Sequence, residues 1–254
     1  MNLQECRALI AKGKRKEALI WLEQQPINAD ILLLLALCST NNISEHWRRA
    51  IHALEQRGID RDLLLALGRA ISQARIELNT SLQLEYLQKA IQTAAVLEDR
   101  IQQIHWTAIL ANVHLRLGNS DKALPWLQRS VQLSIEYQHP LVTIAQGTIL
   151  SGLWFARGEI DRVSALSISI EDAAIGRQNW IAFATARNTR ASTLLIRGKN
   201  LEALRLLLET GDVLFQQGAV AALNIVKARI GEIHLLLGKE RTTQLIQSIQ
   251  QSNP

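Results

Sequence analysis

Proline is scarce in this chain: four residues in 254. Since proline and glycine are the residues that interrupt helices, this scarcity leaves long helices as the natural reading throughout. Cysteine is scarcer still. Cys6 and Cys38 form no CxxC pair, and both sit in apolar helical surroundings. They read as buried free thiols of a reducing compartment. The longest apolar run, Ile31 to Cys38, is far too short to cross a bilayer. The N-terminus, Met1-Asn2-Leu3-Gln4-Glu5-Cys6-Arg7, lacks the basic start and apolar core of a secretory signal. No block of like charge accompanies the net charge of +5. The densest basic run, Lys12-Gly13-Lys14-Arg15-Lys16, reads as a solvated turn. Only the pI near 9.5 speaks for nucleic acid, so direct nucleic-acid binding is not expected. The expected location is cytoplasmic, with no membrane contact.

Chemistry is equally thinly represented. There is no GxxxxGK[ST] phosphate loop and no GxSxG nucleophile turn. The six histidines, His46, His52, His105, His114, His139 and His234, show no metal-ligand spacing with carboxylates. No catalytic residue, metal or cofactor is expected. The six tryptophans, Trp21, Trp47, Trp106, Trp126, Trp154 and Trp180, read as packing residues, with Trp106 and Trp180 nearest the joints between units.

What is present is a repeat. Hydrophobic residues make up 48% of the chain, enough for a continuous core. Leu195-Ile196-Arg197-Gly198-Lys199-Asn200-Leu201-Glu202-Ala203-Leu204 reads as a helix end, a glycine turn and a helix start. Equivalent glycines stand at 118, 158, 198 and 238, so each unit is 40 residues long. A fixed period of that size marks a solenoid of stacked units. Each unit holds a helix of about 14 to 18 residues, the turn, and a second helix of similar length. The first helices are Ile104 to Leu117, Ile144 to Arg157, Ala184 to Arg197 and Asn224 to Leu237. Asp121 and Asp161 are expected as N-caps of second helices, and Ser44 as the cap of an earlier one. Leu78 and Cys38 stand where the glycine would be in two earlier units. There, Asn79 or Asn41-Asn42 is expected to supply the left-handed residue. The polar segment 240–254 is expected to be a capping helix, since a terminal unit has nothing stacked on it.

The pattern resembles the tetratricopeptide repeat. Ala123 with Leu127, Ala203 with Leu207, and Ala18 with Leu22 match the second-helix part of that motif. Ala111, Ser151, Ala191 and Gly231 match its small packing residue, and His114, Trp154, Leu194 and His234 the bulky residue before the turn. The unit departs from the common form in its length and in lacking proline at three of four regular joints. It also has Thr107, Gly147, Arg187 and Lys227 where an aromatic is usual. The longer unit is similar to the superhelix of MalT-type bacterial transcription activators and related signal-transduction ATPases. The likeness covers residues 60–250 well and 1–60 loosely. The resemblance implies an all-α, right-handed α-solenoid of about six antiparallel helix hairpins. We expect a single domain over 1–254, with irregular repeats at 1–60, regular ones at 61–239 and the cap at 240–254. Proteins of that type carry an ATPase module before the superhelix and a DNA-binding module after it. Neither is visible here, so the expectation is a fragment or a stand-alone superhelix.

The resemblance also places candidate ligand residues. In such superhelices the first helices line the concave surface. The inward positions are Arg69 and Arg75, Asn112 and Arg116, Asn188 and Ser192, and Arg229 and Glu232. Asn112 matches the amide that family members use on a peptide backbone or carboxylate, with Ala108 one turn earlier in place of a lysine. Arginine holds a carboxylate or phosphate with two parallel bonds, which makes Arg69, Arg116 and Arg229 candidate anchors. The competing reading of all eight is a solvated inner face. Two functions are expected from this: a non-catalytic scaffold or adaptor binding a protein or peptide in its groove, or the effector-sensing segment of a MalT-like transcription regulator. In the second, the ligand is a small molecule or a repressor protein. A homo-oligomer is compatible with either.

Overall fold

The structure is a computed structural model that describes residues 1–40 and 42–251. Among the described residues there are fourteen helices and no strand. The expected all-α helical repeat is present. The helices are α1 (Leu3–Ala11), α2 (Arg15–Leu22), α3 (Ala29–Cys38), α4 (Ile43–Arg57), α5 (Arg61–Ile76), α6 (Thr80–Val96) and α7 (Arg100–Arg116), followed by α8 (Ser120–Glu136), α9 (Pro140–Ala156), α10 (Ile160–Gly176), α11 (Trp180–Ile196), α12 (Asn200–Gln216), α13 (Val220–Leu237) and α14 (Lys239–Gln251). They fall into two compact units, 1–123 and 124–254.

Seven consecutive helices, α6 to α12, have 17 residues each. The cause is a repeated three-residue stop. Leu78, Glu98, Gly118, Gln138, Gly158, Gln178, Gly198 and Gly218 all have positive φ, between 51° and 74°. The next N–H then reaches back to a carbonyl five residues earlier: Asn79 to Ala74, Asp99 to Ala94, Asn179 to Ala174, Lys199 to Leu194, each at 2.9 Å. This closure satisfies carbonyls that the helix end leaves without partners. The left-handed residues are 20 apart, so the joints between units are built like the turns within them. The 40-residue glycine period is every second beat of a shorter rhythm.

Several cap expectations are corrected. Leu78 itself takes the left-handed conformation (φ 56°), and Asn79 instead caps α6 through Leu82 N–H at 3.1 Å. Asn42 is left-handed (φ 48°), while Asn41 lies outside the described residues. Asn42, not Ser44, is the N-cap of α4. Asp121 and Asp161 sit inside the first turns of α8 and α10, because those helices start at Ser120 and Ile160. Their charges still meet the positive helix end. The segment expected as a cap, 240–254, is α14 as far as Gln251, and 252–254 lie outside the described residues.

In the first unit, Cys6, Ala18, Leu22, Ile31, Leu34 and Cys38 form one buried cluster. Both thiols are free, as expected. Burial and the neighbouring Cys6 push the Cys38 thiol up to about 11. Arg57, at the end of α4, donates to Asp30 (3.1 Å), Asp60 (2.5 Å) and Asp62 (3.1 Å), tying α3 to the start of α5.

In the second unit, α11 packs on α13 and α12 on α14, as well as each on its sequence neighbours. First helices therefore form one layer and second helices another. The core between them includes Phe183, Leu204, Leu207, Leu214, Val226 and Ile233. Gly147 occupies an expected aromatic position for a steric reason. A Cβ there would stand 3.0 Å from the Ile170 side chain, so a larger residue at this contact of α9 and α10 requires Ile170 to shift.

The left-handed positions make a direct stability test. Leu78 is 86% exposed, so Leu78→Gly removes backbone strain and little buried surface. It should raise unfolding free energy by about 0.5–1 kcal/mol in urea titration. Gly198→Ala, where an added Cβ meets nothing within 4 Å, should lower it by about 1–2 kcal/mol through backbone strain alone.

Candidate functional site

The candidate residues of the second unit converge. Asn188 and Ser192 lie one turn apart on α11, and Arg229 and Glu232 one turn apart on α13. Arg229 Nη2 donates to Ser192 Oγ at 2.7 Å, and Nη1 to Glu232 at 2.5 Å. Ser192 Oγ donates to Asn188 O at 2.9 Å, and Asn188 Nδ2 reaches Ile225 O at 3.5 Å. The four therefore form a continuous polar line across two stacked first helices. Two of its atoms are buried without a partner: Asn188 Oδ1 and Arg229 Nε.

The candidates of the first unit do not join one another. Arg69 is exposed in a cleft of about 550 Å³ between α5 and α7, together with Gly68, Ser72 and Trp106. Trp106 lies against Gly68, where a Cβ would come within 3.2 Å of its ring. Arg75 is exposed at the last turn of α5. Asn112 is half-buried and Arg116 exposed, one turn apart on α7. No hydrogen bond or ion pair links these residues among those described.

His114 is buried against its own unit, and burial, with Lys122 adding to it, lowers its pKa. That agrees with the packing role read from the repeat. Trp47 is also buried, and Trp180 meets Phe183 edge-on at 6.0 Å.

One charged group went unnoticed in the sequence. Glu171 of α10 has a side chain only 5% exposed, with Arg187 Nε 2.8 Å and Arg190 Nη1 3.4 Å from its Oε2. The Arg187 N–H is not directed at the oxygen, so that contact is coulombic, whereas Arg190 makes a hydrogen bond. The Arg187 guanidinium also lies 5.2 Å from the centre of the Phe183 ring. Burial pushes the Glu171 carboxyl above its ordinary range, and the two arginines only partly oppose this. A signal existed. Val131, Ile91 and Gly211 occupy the positions equivalent to Glu171, and Arg187 is, with Lys227, one of two charged residues where an aromatic is usual. The two irregularities of the repeat contact each other.

No group of three or more His, Cys, Asp or Glu side chains that could hold a metal occurs among the described residues. Among them, too, no helix is long and apolar enough to cross a membrane.

Helices stacked in two layers, at a 40-residue interval and with small residues at the contacts, define a tetratricopeptide-like helical repeat. Known proteins bear this out at the level of fold. No family model matches the chain, and no curated protein matches it in sequence. Solved structures do. A signal-transduction ATPase with numerous domains and a tetratricopeptide-repeat sensor, from Pyrococcus horikoshii, superposes with a TM-score of 0.55 at 12% identity. The match covers 98% of this chain and 41% of the ATPase, so the chain spans well under half of that protein. BtubC from P. vanneervenii matches at 12% identity over 86% of this chain and 93% of its own, with a TM-score of 0.49. A Rap protein complexed with competence and sporulation factor matches at 12% identity over 95% of this chain and 74% of its own, with a TM-score of 0.44.

The buried carboxylate gives a pH prediction. A folded pKa raised above the unfolded value means that the folded state binds the proton more tightly. Glu171 therefore stabilises the fold below its unfolded pKa, and that contribution is lost as pH rises through the folded pKa. Wild type should gain stability relative to Glu171→Gln as pH falls from neutral towards 4.5, the ordinary value. Paired urea titrations across that window check the sign.

Proposed function

We propose that the protein is a non-catalytic scaffold or adaptor that binds a protein or peptide on the face formed by its first helices. The observation that supports this most is the polar line of Asn188, Ser192, Arg229 and Glu232 across α11 and α13. It is held in place by hydrogen bonds, yet it keeps an unused acceptor on Asn188 and an unused donor on Arg229. Buried polar atoms are normally paired and unpaired ones call for an explanation; a movement of these side chains towards a ligand would supply one. A guanidinium fixed by two neighbours is also preorganised for a carboxylate or a backbone carbonyl. Arg69, Arg75, Asn112 and Arg116 extend the proposed binding surface on the first unit.

A second reading is that the chain is the effector-sensing segment of a MalT-like transcription regulator. Its support is the likeness in fold to the sensor-bearing ATPase of P. horikoshii over 98% of this chain. In that setting a small-molecule effector or a repressor protein binds the repeat, and a shift in self-association is the response. The cytoplasm is the compartment that suits both readings. A reading frame that continues into ATPase and helix-turn-helix modules would favour the regulator.

The scaffold reading is tested by affinity capture with the full chain from native lysate, followed by mass spectrometry and titration of each recovered partner. Arg229→Glu and Arg116→Glu, with folding checked by circular dichroism, should weaken a groove-bound partner by about tenfold or more, since each reverses a charge in contact. Undiminished affinity of every partner for both variants would refute the groove.

A further inference from the structure

The last of the first helices, α13, leaves open the side by which its predecessor is stacked. α11 meets α13 through Asn188, whose Nδ2 reaches Ile225 O, and through Ser192, which accepts from Arg229. Along the same side of α11, Ala184 and Ala191 are fully buried and Leu195 is half-buried against the core. Forty residues on, those five positions are Asn224, Ala228, Gly231, Glu232 and Leu235 of α13, and all five are exposed. Leu235 is 84% exposed near one end of the helix and Val220 66% at the other. A Cβ on Gly231 would meet nothing within 4 Å.

The second layer ends differently. Leu204 and Leu207 of α12 are fully buried, and α14 packs on that helix. Their counterparts on α14 are Gln244 and Gln247, both exposed, with Arg241, Thr243 and Ser248 exposed around them. Another helix hairpin would cover both layers, and its second helix would lie on those glutamines. A single helix set on α13 alone fits this end better.

A second α13 is such a helix, because the open side complements itself when reversed. Ala221, Ala228 and Leu235 are seven residues apart, about two turns, so they stand in one row. In an antiparallel pair with its two-fold axis at Ala228, each residue faces the one equally far beyond Ala228 in the partner. Leu235 then falls between the partner's Val220 and the partner's Ala221, a large apolar side chain against smaller ones. Asn224 stands across from the partner's Glu232, an amide donor opposite a carboxylate. The Glu232 side chain is 58% exposed although it pairs with Arg229, and a carboxylate can accept from both. Lys227 lies about 100° round the helix from Ala228, which keeps its charge off the row.

We propose that the open side of α13 pairs with the same side of a second copy, antiparallel, about a two-fold axis through Ala228. This goes beyond the proposed ligand face and does not rest on it. One helix on one helix covers well under the ~1,600 Å² of a standard stable interface. The dimer is therefore weak and reversible, with a Kd of about 10–100 µM.

Sedimentation equilibrium of the full chain from about 5 to 500 µM should show monomer passing to dimer and no larger species. Ala228→Glu sets two carboxylates beside the axis and should raise the Kd about tenfold or more. Because Ala228 is exposed, the helical circular dichroism and melting temperature of that variant should hold. Crosslinking with copper–phenanthroline reads the geometry. Ala228→Cys should give a disulfide-linked dimer. A mixture of Ala221→Cys and Leu235→Cys chains should link to each other far more than either links to itself. Cys6 and Cys38 are buried, so wild type serves as the blank. A chain that stays monomeric at the highest concentration would overturn the proposal. So would a dimer that Ala228→Glu leaves unchanged, or one in which Ala221→Cys links chiefly to itself.

Discussion

A left-handed residue every twenty positions, with the reach-back hydrogen bond it permits, is the constraint from which the rest of this architecture follows. Each helix must stop after about five turns, because the residue at the stop turns the chain by close to a hairpin and the next N–H closes on a carbonyl five residues back. Helices of equal length joined by equal turns can only stack in register. Small residues are then buried between the helices: Ala111, Ala191 and Ala203 are all fully buried. The closure makes few demands on side chains. Leucine, glutamate, glutamine and glycine all serve at the left-handed position, although the non-glycine residues there each give up about 1–2 kcal/mol.

That tolerance explains what the sequence could and could not disclose. Glycine at 118, 158, 198 and 238 was visible as a 40-residue ruler, and the all-helical repeat followed from it. The intervening stops at Glu98, Gln138 and Gln178 carry no compositional mark, so the joints looked like looser connections than the turns. Leu78 was read as a missing turn residue because leucine at positive φ is costly. The reach-back bond from Asn79 to Ala74 holds it there. The N-caps of α4 and α10 were each misplaced by two residues. At α10 the three-residue stop leaves one position for the cap, and its register is set by the preceding helix end. The local choice of Asp161 does not decide it.

The candidate face was legible to the same degree. The resemblance offered Asn188, Ser192, Arg229 and Glu232 as candidates, of which only Ser192 and Glu232 stand 40 residues apart, and in the second unit the four hydrogen-bond in one line. The same resemblance does not make a site of Arg69, Arg75, Asn112 and Arg116, because a likeness of position does not by itself bring side chains together. Whether neighbours meet depends on the partners within reach: Arg229 finds the Ser192 hydroxyl, whereas Arg75 sits exposed at the last turn of α5. Glu171 shows the reverse. It stands on a second helix, among positions that elsewhere hold Val131, Ile91 and Gly211, and a search confined to the first helices passes over it.

Glu171 also separates two kinds of polar burial in this molecule. Its carboxylate lies between α10 and α11, where Arg187 and Arg190 compensate a charge that burial disfavours, and its second oxygen stays unpaired. Removing one partner from such a cluster generally costs more than the cluster contributes, so it acts as a fixed structural tie. The line from Asn188 to Arg229 is different, because every one of its members is still partly open to solvent. An unsatisfied buried donor or acceptor costs about 1–3 kcal/mol, and Arg229 Nε and Asn188 Oδ1 are both buried without a partner. The line on the first helices is therefore held by hydrogen bonds among its own members at some cost, whereas Glu171 is held by the charges of two arginines.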